Sequence, residues 1–327
     1  MLLAVLGSQA DVGSVAVVRA LLGCLAVLLR AQPGPAWELP ELQRSLAALL
    51  AHSTHPKPKI RRAGQHAVVG LVRGGDPALL PHPAAAPAAH HCLATIAGAG
   101  PGEVAVLHSL GLLRELLPAL PRSATREAAQ TVLRLLTLGS PVLVTTALGA
   151  LHGLFAGRPP PSRLPGELAG QLVSALYEHQ PGPGDTAPCV AWLAALQEGL
   201  LLIHQGTPVL AESHLPRFCR VAAGCWLAGR QGTVRAAGLA VRAVLAELGP
   251  GLGEAAAGAV LTCLEECLSY QHSAAWRAVL PALGTAVEVS SVLCPYSNAG
   301  LASPGRGPRV DRGVPPASGC AEKLRAV

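Results

Sequence analysis

The sequence predicts an all-α protein, built as an α-solenoid of stacked helix pairs. Half of the 327 residues are apolar, yet only 3% are aromatic, and most of the apolar residues are Ala, Leu and Val. Leu and Ala favour helices, and no stretch shows the apolar–polar alternation of a half-buried strand. Proline and glycine divide the chain into pieces of helical length.

This punctuation predicts thirteen helices, most of which begin at Pro or just after Gly, Ser or Thr. Their ranges are 12–30, 40–52, 58–73, 83–97, 102–117, 123–138, 141–155, 165–179, 186–204, 215–227, 232–248, 253–270 and 273–287. The helix over 186–204 carries one apolar stripe, formed by Trp192, Leu193, Leu196, Leu200 and Ile203. Residues 21–29 are apolar on nearly all sides, so we expect them to be buried between neighbouring helices.

Three segments of the chain align with one another, over residues 60–71, 143–154 and 234–245. Their starts are 83 and 91 residues apart. Half of each distance falls within the ~40–47 residue period of HEAT and armadillo units. Intermediate units are therefore expected to begin near Gly102 and Pro188. Each helix pair cannot bury its apolar face alone, so the pairs should stack.

These units place a HEAT/armadillo-like helical repeat segment over residues 1–290. Loops are expected at 157–165 and 180–188, which are rich in Pro and Gly. The helical pattern stops near residue 291, and 301–318 is rich in Gly, Pro and Arg, so residues 291–327 are expected to be mostly disordered. The nine cysteines are an odd number without a C-x-x-C pair, which predicts a reducing compartment.

The sequence gives no sign of catalysis or of a membrane partner. There is no P-loop, G-x-S-x-G, H-E-x-x-H or dinucleotide fingerprint. Adjacent helical residues point about 100° apart, so His90, His91 and Cys92 cannot converge on one ion. The apolar stretch 14–29 has Arg19 inside it and is shorter than the ~20 residues of a membrane span. We expect a non-enzyme with no cofactor, no metal and no small-molecule substrate.

The candidate contact site for RNA or an acidic partner is Lys57, Lys59, Arg61 and Arg62, at the start of one predicted helix. Such cations suit phosphate contact, because the backbone N–H groups of a helix N-terminus already favour anions. The other interpretation is structural, since HEAT helices often carry one basic residue here that pairs with an acid of the neighbouring repeat. No aromatic residues interleave, so base stacking is not expected.

At these residues the chain also resembles a known family, the ribosomal RNA processing protein 12 homologues, which are nucleolar HEAT/armadillo-repeat proteins. The resemblance runs in order from about residue 14 to about residue 288. Segments that carry it include His-Pro-Lys-Pro-Lys-Ile-Arg-Arg-Ala at 55–63, Pro-His-Pro-Ala-Ala at 81–85, Ala-Trp-Leu at 191–193 and His-Leu-Pro-Arg-Phe at 214–218. Family members are much longer, so the resemblance implies an internal segment of the repeat array.

The resemblance implies a non-enzymatic scaffold in ribosome biogenesis, acting in pre-ribosomal RNA processing and in ribosomal subunit maturation and export. Its implied partners are pre-ribosomal RNA and ribosome assembly factors, and its implied location is the nucleolus and nucleus. The alternative is a karyopherin-like transport adaptor that wraps a protein cargo. A membrane-surface coat protein would need a basic amphipathic helix with bulky hydrophobic residues, and we find none in the sequence.

Overall fold

The computed structural model describes residues 14–74, 81–98, 104–138, 140–228 and 230–249, with a few positions between 258 and 285. Its regular elements in these ranges are helices, and no strand occurs among them. The α-helices are α1 (Val15–Arg30), α2 (Pro40–Ala51), α3 (Pro58–Arg73), α4 (Ala85–Gly98), α5 (Val104–Leu116), α6 (Arg122–Leu135), α7 (Pro141–Ala156), α8 (Gly166–Glu178), α9 (Thr186–Gly206), α10 (Pro208–Ala228) and α11 (Gln231–Leu248).

The helices form two layers. In the first, which we call the B layer, α1, α3, α5, α7, α9 and α11 pack side by side in that order. The even-numbered helices form the A layer, where α4, α6 and α8 contact one another in turn. Each A-layer helix also packs against the B-layer helix that follows it in the chain. This arrangement of stacked helix pairs is the predicted α-solenoid.

The spacing of the helix pairs agrees with the repeat period read from the sequence. The B-layer helices of the five pairs begin at residues 58, 104, 141, 186 and 231, about 37 to 46 residues apart. The three aligned segments lie in α3, α7 and α11, and the intermediate units expected near Gly102 and Pro188 are α5 and α9. The alignment therefore identifies equivalent helices of successive pairs.

The central helix of the described core is α9, which packs against α7, α8, α10 and α11. Every residue of its predicted apolar stripe is buried. The indole Nε1 of Trp192 donates a hydrogen bond of 2.7 Å to the Leu176 carbonyl oxygen, which satisfies the one polar atom of that side chain. By length and composition α9 could cross a membrane, but 56% of its apolar window is buried inside the fold. It is the core helix of the array.

Two predictions about helices were wrong. The helix predicted over 215–227 begins at Pro208 and contains Pro216 within it. Ala211 and Leu215 before this proline and Phe218 after it are all buried along one continuous face. Their packing maintains the helix across a residue that cannot donate a backbone hydrogen bond. Consequently α10 has 21 residues rather than 13.

The prediction that residues 21–29 are buried between neighbouring helices was wrong in part, because only Leu22, Leu25, Ala26 and Leu29 of this stretch are buried. Val27 is 63% exposed and Leu28 is 53% exposed. Within the described residues α1 packs chiefly against α2 and α3, so one side of the helix is covered and the other is open.

The loop predicted over 180–188 is shorter than expected, because Thr186 already begins α9.

Several predictions concern residues that the structure does not describe. The helices predicted over 253–270 and 273–287 lie mostly outside the described residues, and the tail predicted over 291–327 lies wholly outside them. The boundary at residue 290 therefore stays a proposal.

Candidate polyanion-binding surface

The candidate site lies where the chain turns from α2 into α3. A short 3-10 helix, His52–Thr54, follows α2, and Pro58 occupies the first turn of α3. Proline is favoured there because its fixed φ suits a helix and its missing N–H would have no intrahelical partner. The Lys57 N–H donates a hydrogen bond of 3.0 Å to His55 Nδ1. These features fix the direction in which α3 starts.

The structure separates the four predicted cations into two kinds. Lys57, Lys59 and Arg62 are exposed at the start of α3, whereas Arg61 is half-buried. The Arg61 Nη1 atom donates hydrogen bonds to the carbonyl oxygens of His55 at 3.0 Å and of Pro56 at 3.2 Å. Arg61 therefore holds the turn that precedes its own helix. The other three side chains are directed to solvent and can contact an anion.

Pairing with an acid of the neighbouring repeat is not what these cations do. None of the ion pairs among the described residues includes Lys57, Lys59, Arg61 or Arg62. The pair that joins α3 to α5 is at the opposite end of α3, where Arg73 Nη1 lies 3.2 Å from Glu115 Oε2. Arg61 has a structural role of another kind, because it bonds backbone carbonyls rather than an acid. Phosphate contact by Lys57, Lys59 and Arg62 stays a prediction.

Neutral groups join the first turns of α3 to the next B-layer helix. The Gln65 side-chain amide donates to the Ser53 carbonyl oxygen at 3.1 Å and to the His108 carbonyl oxygen at 3.3 Å. Burial lowers the pKa of His108, and the nearby Arg61 charge lowers it further. The lowered pKa of His108 disfavours a second positive charge beside Arg61.

Further cations of the same surface are not recognisable as a group in the sequence, because they are spread over about a hundred residues of chain. Only the stacking of α1, α3 and α5 in the B layer brings them together. These three helices carry a single acidic residue, Glu115. Their basic residues are Arg19, Arg30, Lys59, Arg61, Arg62, Arg73 and Arg114.

The A layer lacks this imbalance. Its five helices carry nearly equal numbers of basic and acidic residues. The basic residues are Arg44, Arg122, Arg126, Arg134, Arg217 and Arg220, and the acidic residues are Glu41, Glu127, Glu167, Glu178 and Glu212. Three of those acids pair with described basic side chains. The first three helices of the B layer therefore carry a larger excess of positive charge than the whole A layer.

The His90, His91 and Cys92 segment behaves as adjacent helical residues should. His90 is exposed and its Nε2 lies 3.5 Å from Glu127 Oε2, on α6. Burial lowers the pKa of His91 and raises the pKa of the Cys92 thiol to about 12. Among the described residues no group of three His, Cys, Asp or Glu side chains could hold a metal ion.

Stacked helix pairs with this period define the class of the protein as an armadillo/HEAT-like helical-repeat protein. Over most of its length the chain is similar to a segment of RRP12-like proteins, which confirms the resemblance found in the sequence. It is 35% identical over 310 residues to the RRP12-like protein of Gallus gallus, covering 89% of this chain. Identity to the RRP12-like protein of Homo sapiens is 34% over 298 residues, or 85% of this chain.

The relationship extends to the RRP12-like protein of Drosophila melanogaster, at 30% identity over 229 residues and 63% of this chain. The chain spans 24%, 23% and 16% of the lengths of these three relatives. No protein-family model matches the sequence. Among solved structures, a designed armadillo repeat protein is 13% identical with a TM-score of 0.34, covering 86% of this chain and 98% of its own.

Proposed function

We propose that this chain is a non-enzymatic helical-repeat scaffold of ribosome biogenesis. In this role it contributes to pre-ribosomal RNA processing and to ribosomal subunit maturation and export in the nucleolus and nucleus. The similarity to RRP12-like proteins supports the process, although the chain spans only about a quarter of the length of the first two relatives. The stacked helix pairs support a scaffold, since they offer an extended surface to partners.

The scaffold contacts pre-ribosomal RNA through Lys57, Lys59 and Arg62, with Arg61 setting the shape of the turn that presents them. The observation that carries this proposal is the concentration of positive charge on the first three B-layer helices, beside a nearly neutral A layer. Phosphates bind lysine and arginine by releasing condensed counterions, so the contact needs charge but no aromatic residue. Ribosome assembly factors are the second class of partner proposed for the scaffold.

The test is the salt dependence of binding between the full chain and a structured ribosomal RNA fragment. Each phosphate contact adds about 0.7–0.9 to the slope of log Kobs against log salt, so replacing Lys57, Lys59 and Arg62 by Ala should reduce the slope by about two to three. The control removes three exposed cations from α6, by Arg122→Ala, Arg126→Ala and Arg134→Ala. This control should retain the slope of the parent chain. Equal slopes for both triple variants would refute the assignment of the RNA site.

A pull-down from nuclear extract treated with nuclease tests the scaffold role separately. Assembly factors that reach the chain through RNA should be lost after the treatment. The opposite outcome is that proteins stay bound at the levels seen without nuclease, while replacing Lys57, Lys59 and Arg62 by Ala leaves the salt slope unchanged. That pair of results would favour the karyopherin-like transport adaptor.

A further inference from the structure

A second feature of the B layer is a groove of about 550 Å³ between α1 and α3. The C-terminal ends of the two helices lie close together, since the Arg30 guanidinium at the end of α1 is 3.1 Å from where a Cβ of Gly70, near the end of α3, would lie. The groove is open because small residues form its floor. They are Ala16, Ala20 and Gly23 from α1, and Ala63, Ala67 and Gly70 from α3.

Basic side chains border this groove. Arg19 and Arg30 border it along α1, and His66 borders it along α3. Arg62 and Lys59 precede His66 by four and seven residues, so they continue the same side of α3 towards its N-terminus. None of the described residues that line the groove is acidic.

The combination of an apolar floor and basic borders selects among anionic ligands. A phosphodiester backbone has no aliphatic side chain to place on the floor, and it would lose water there without compensation. No aromatic residue lines the groove on which a base could stack. A peptide with small aliphatic side chains between carboxylates satisfies both parts, since its methyl groups cover the floor and its charges reach the borders.

We propose that the groove between α1 and α3 binds an extended, acidic peptide segment of a partner protein. Eleven positions separate Arg19 from Arg30, which is about 16 Å along α1. An extended peptide covers that distance in about five residues, at about 3.3 Å per residue. The ligand therefore has two acidic residues about five positions apart, with Ala or Val between them. The acidic residues of this peptide meet Arg19 and Arg30, whereas the RNA contact proposed above uses Lys57, Lys59 and Arg62.

The first experiment fills the groove. A Cβ at Gly23 would meet no atom within 4 Å, so the backbone accepts a side chain there, and the leucine of Gly23→Leu would occupy the groove that Gly23 lines. Gly111 on α5 is equally unobstructed and lies outside the groove, so Gly111→Leu is the matched control. Fluorescence anisotropy with the full chain uses three labelled probes. They are an acidic Val/Ala peptide of this spacing, the same peptide with Gln and Asn for its acids, and a twelve-nucleotide single-stranded RNA.

We expect the acidic peptide to bind the parent chain and the amide peptide to bind at least tenfold more weakly. Gly23→Leu should raise the Kd of the acidic peptide at least tenfold, while Gly111→Leu changes it less than twofold. The Kd of the RNA should be the same for both variants within twofold. Equal peptide affinity of the two variants would overturn the proposal. So would a loss of RNA affinity in Gly23→Leu as large as its loss of peptide affinity, which would identify the groove as an RNA site.

The second experiment exchanges the charges. The double variant Arg19→Glu with Arg30→Glu should bind the acidic peptide with a Kd at least tenfold higher than that of the parent chain. It should also bind a peptide in which Lys replaces each acidic residue, and more tightly than the parent chain does. This gain cannot come from a chain that has failed to fold. Retention of the acidic peptide within twofold, or the absence of the gain in a chain with parental helix content, would overturn the proposal.

Discussion

Gly64 is the residue at which α3 comes closest to the 3-10 turn His52–Thr54, and we predict that Gly64→Ala destabilises the chain. A Cβ at this position would lie 2.9 Å from the His52 carbonyl carbon and 3.1 Å from the Ser53 nitrogen. Both are backbone atoms, so no side-chain rotation relieves the contact. Glycine is thus required here by close approach, although it weakens the helix that contains it.

Two opposing contributions set the size of the effect. Alanine is favoured over glycine inside a helix by about 1 kcal/mol. Overpacking against fixed atoms costs about 1–3 kcal/mol. Gly111→Ala isolates the first contribution. Gly111 lies in the same layer as Gly64, and a Cβ there would meet no atom within 4 Å. The free energy of unfolding should therefore be about 1–3 kcal/mol lower for Gly64→Ala than for Gly111→Ala.

Urea unfolding of the two full-length variants, followed by circular dichroism, measures this difference. Gly111→Ala should unfold at a higher urea concentration than the parent chain, and Gly64→Ala at a lower one than Gly111→Ala. Similar midpoints for the two variants would refute the close packing of α3 on the turn. The orientation of Lys57, Lys59 and Arg62 would then have to come from a contact other than that between α3 and the His52–Thr54 turn.

Three further predictions concern the core. Trp192→Ala should lower the free energy of unfolding by about 3–5 kcal/mol, measured by urea denaturation, because it empties a fully buried site. Burial lowers the pKa of His82, which packs edge-on against Trp37 at 4.9 Å. The unfolded chain therefore binds the proton first, so the thermal midpoint should fall as pH drops below about 6.5, and fall less in His82→Gln. In the folded chain at pH 7.5, iodoacetamide should alkylate exposed Cys24 and spare buried Cys92, whose pKa is raised to about 12; labelling of both at one rate would contradict this burial.

Local signals were sufficient to predict most helices of the fold. Proline at the first turn locates the start of α3 at residue 58 and of α7 at residue 141, as the sequence predicts. Periodicity likewise identified the buried stripe of α9. The same signals failed at Pro216, where the packing of Phe218 and its neighbours outweighs the local preference of proline. They failed again at Leu28, whose exposure depends on which helices cover α1.

The candidate site could be predicted only in part. Four cations close together in sequence were visible, but the separation of Arg61 from the others depends on its hydrogen bonds to His55 and Pro56. Arg19 and Arg30 were missed, because each is a single basic residue within an apolar segment. Their relation to α3 arises from the stacking of alternate helices, which no local pattern encodes.

Ultraviolet crosslinking of the full chain to a ribosomal RNA fragment, with the crosslinked peptides mapped by mass spectrometry, tests the charge asymmetry most directly. The crosslinks should fall mainly in the peptides around Lys57–Arg62 and in the neighbouring helix α5. They should be rare in α2, α4 and α6, and they should decline when Lys57, Lys59 and Arg62 are replaced by Ala. Crosslinks distributed equally over the two layers, and unchanged by the triple replacement, would contradict an RNA-binding surface on the B layer.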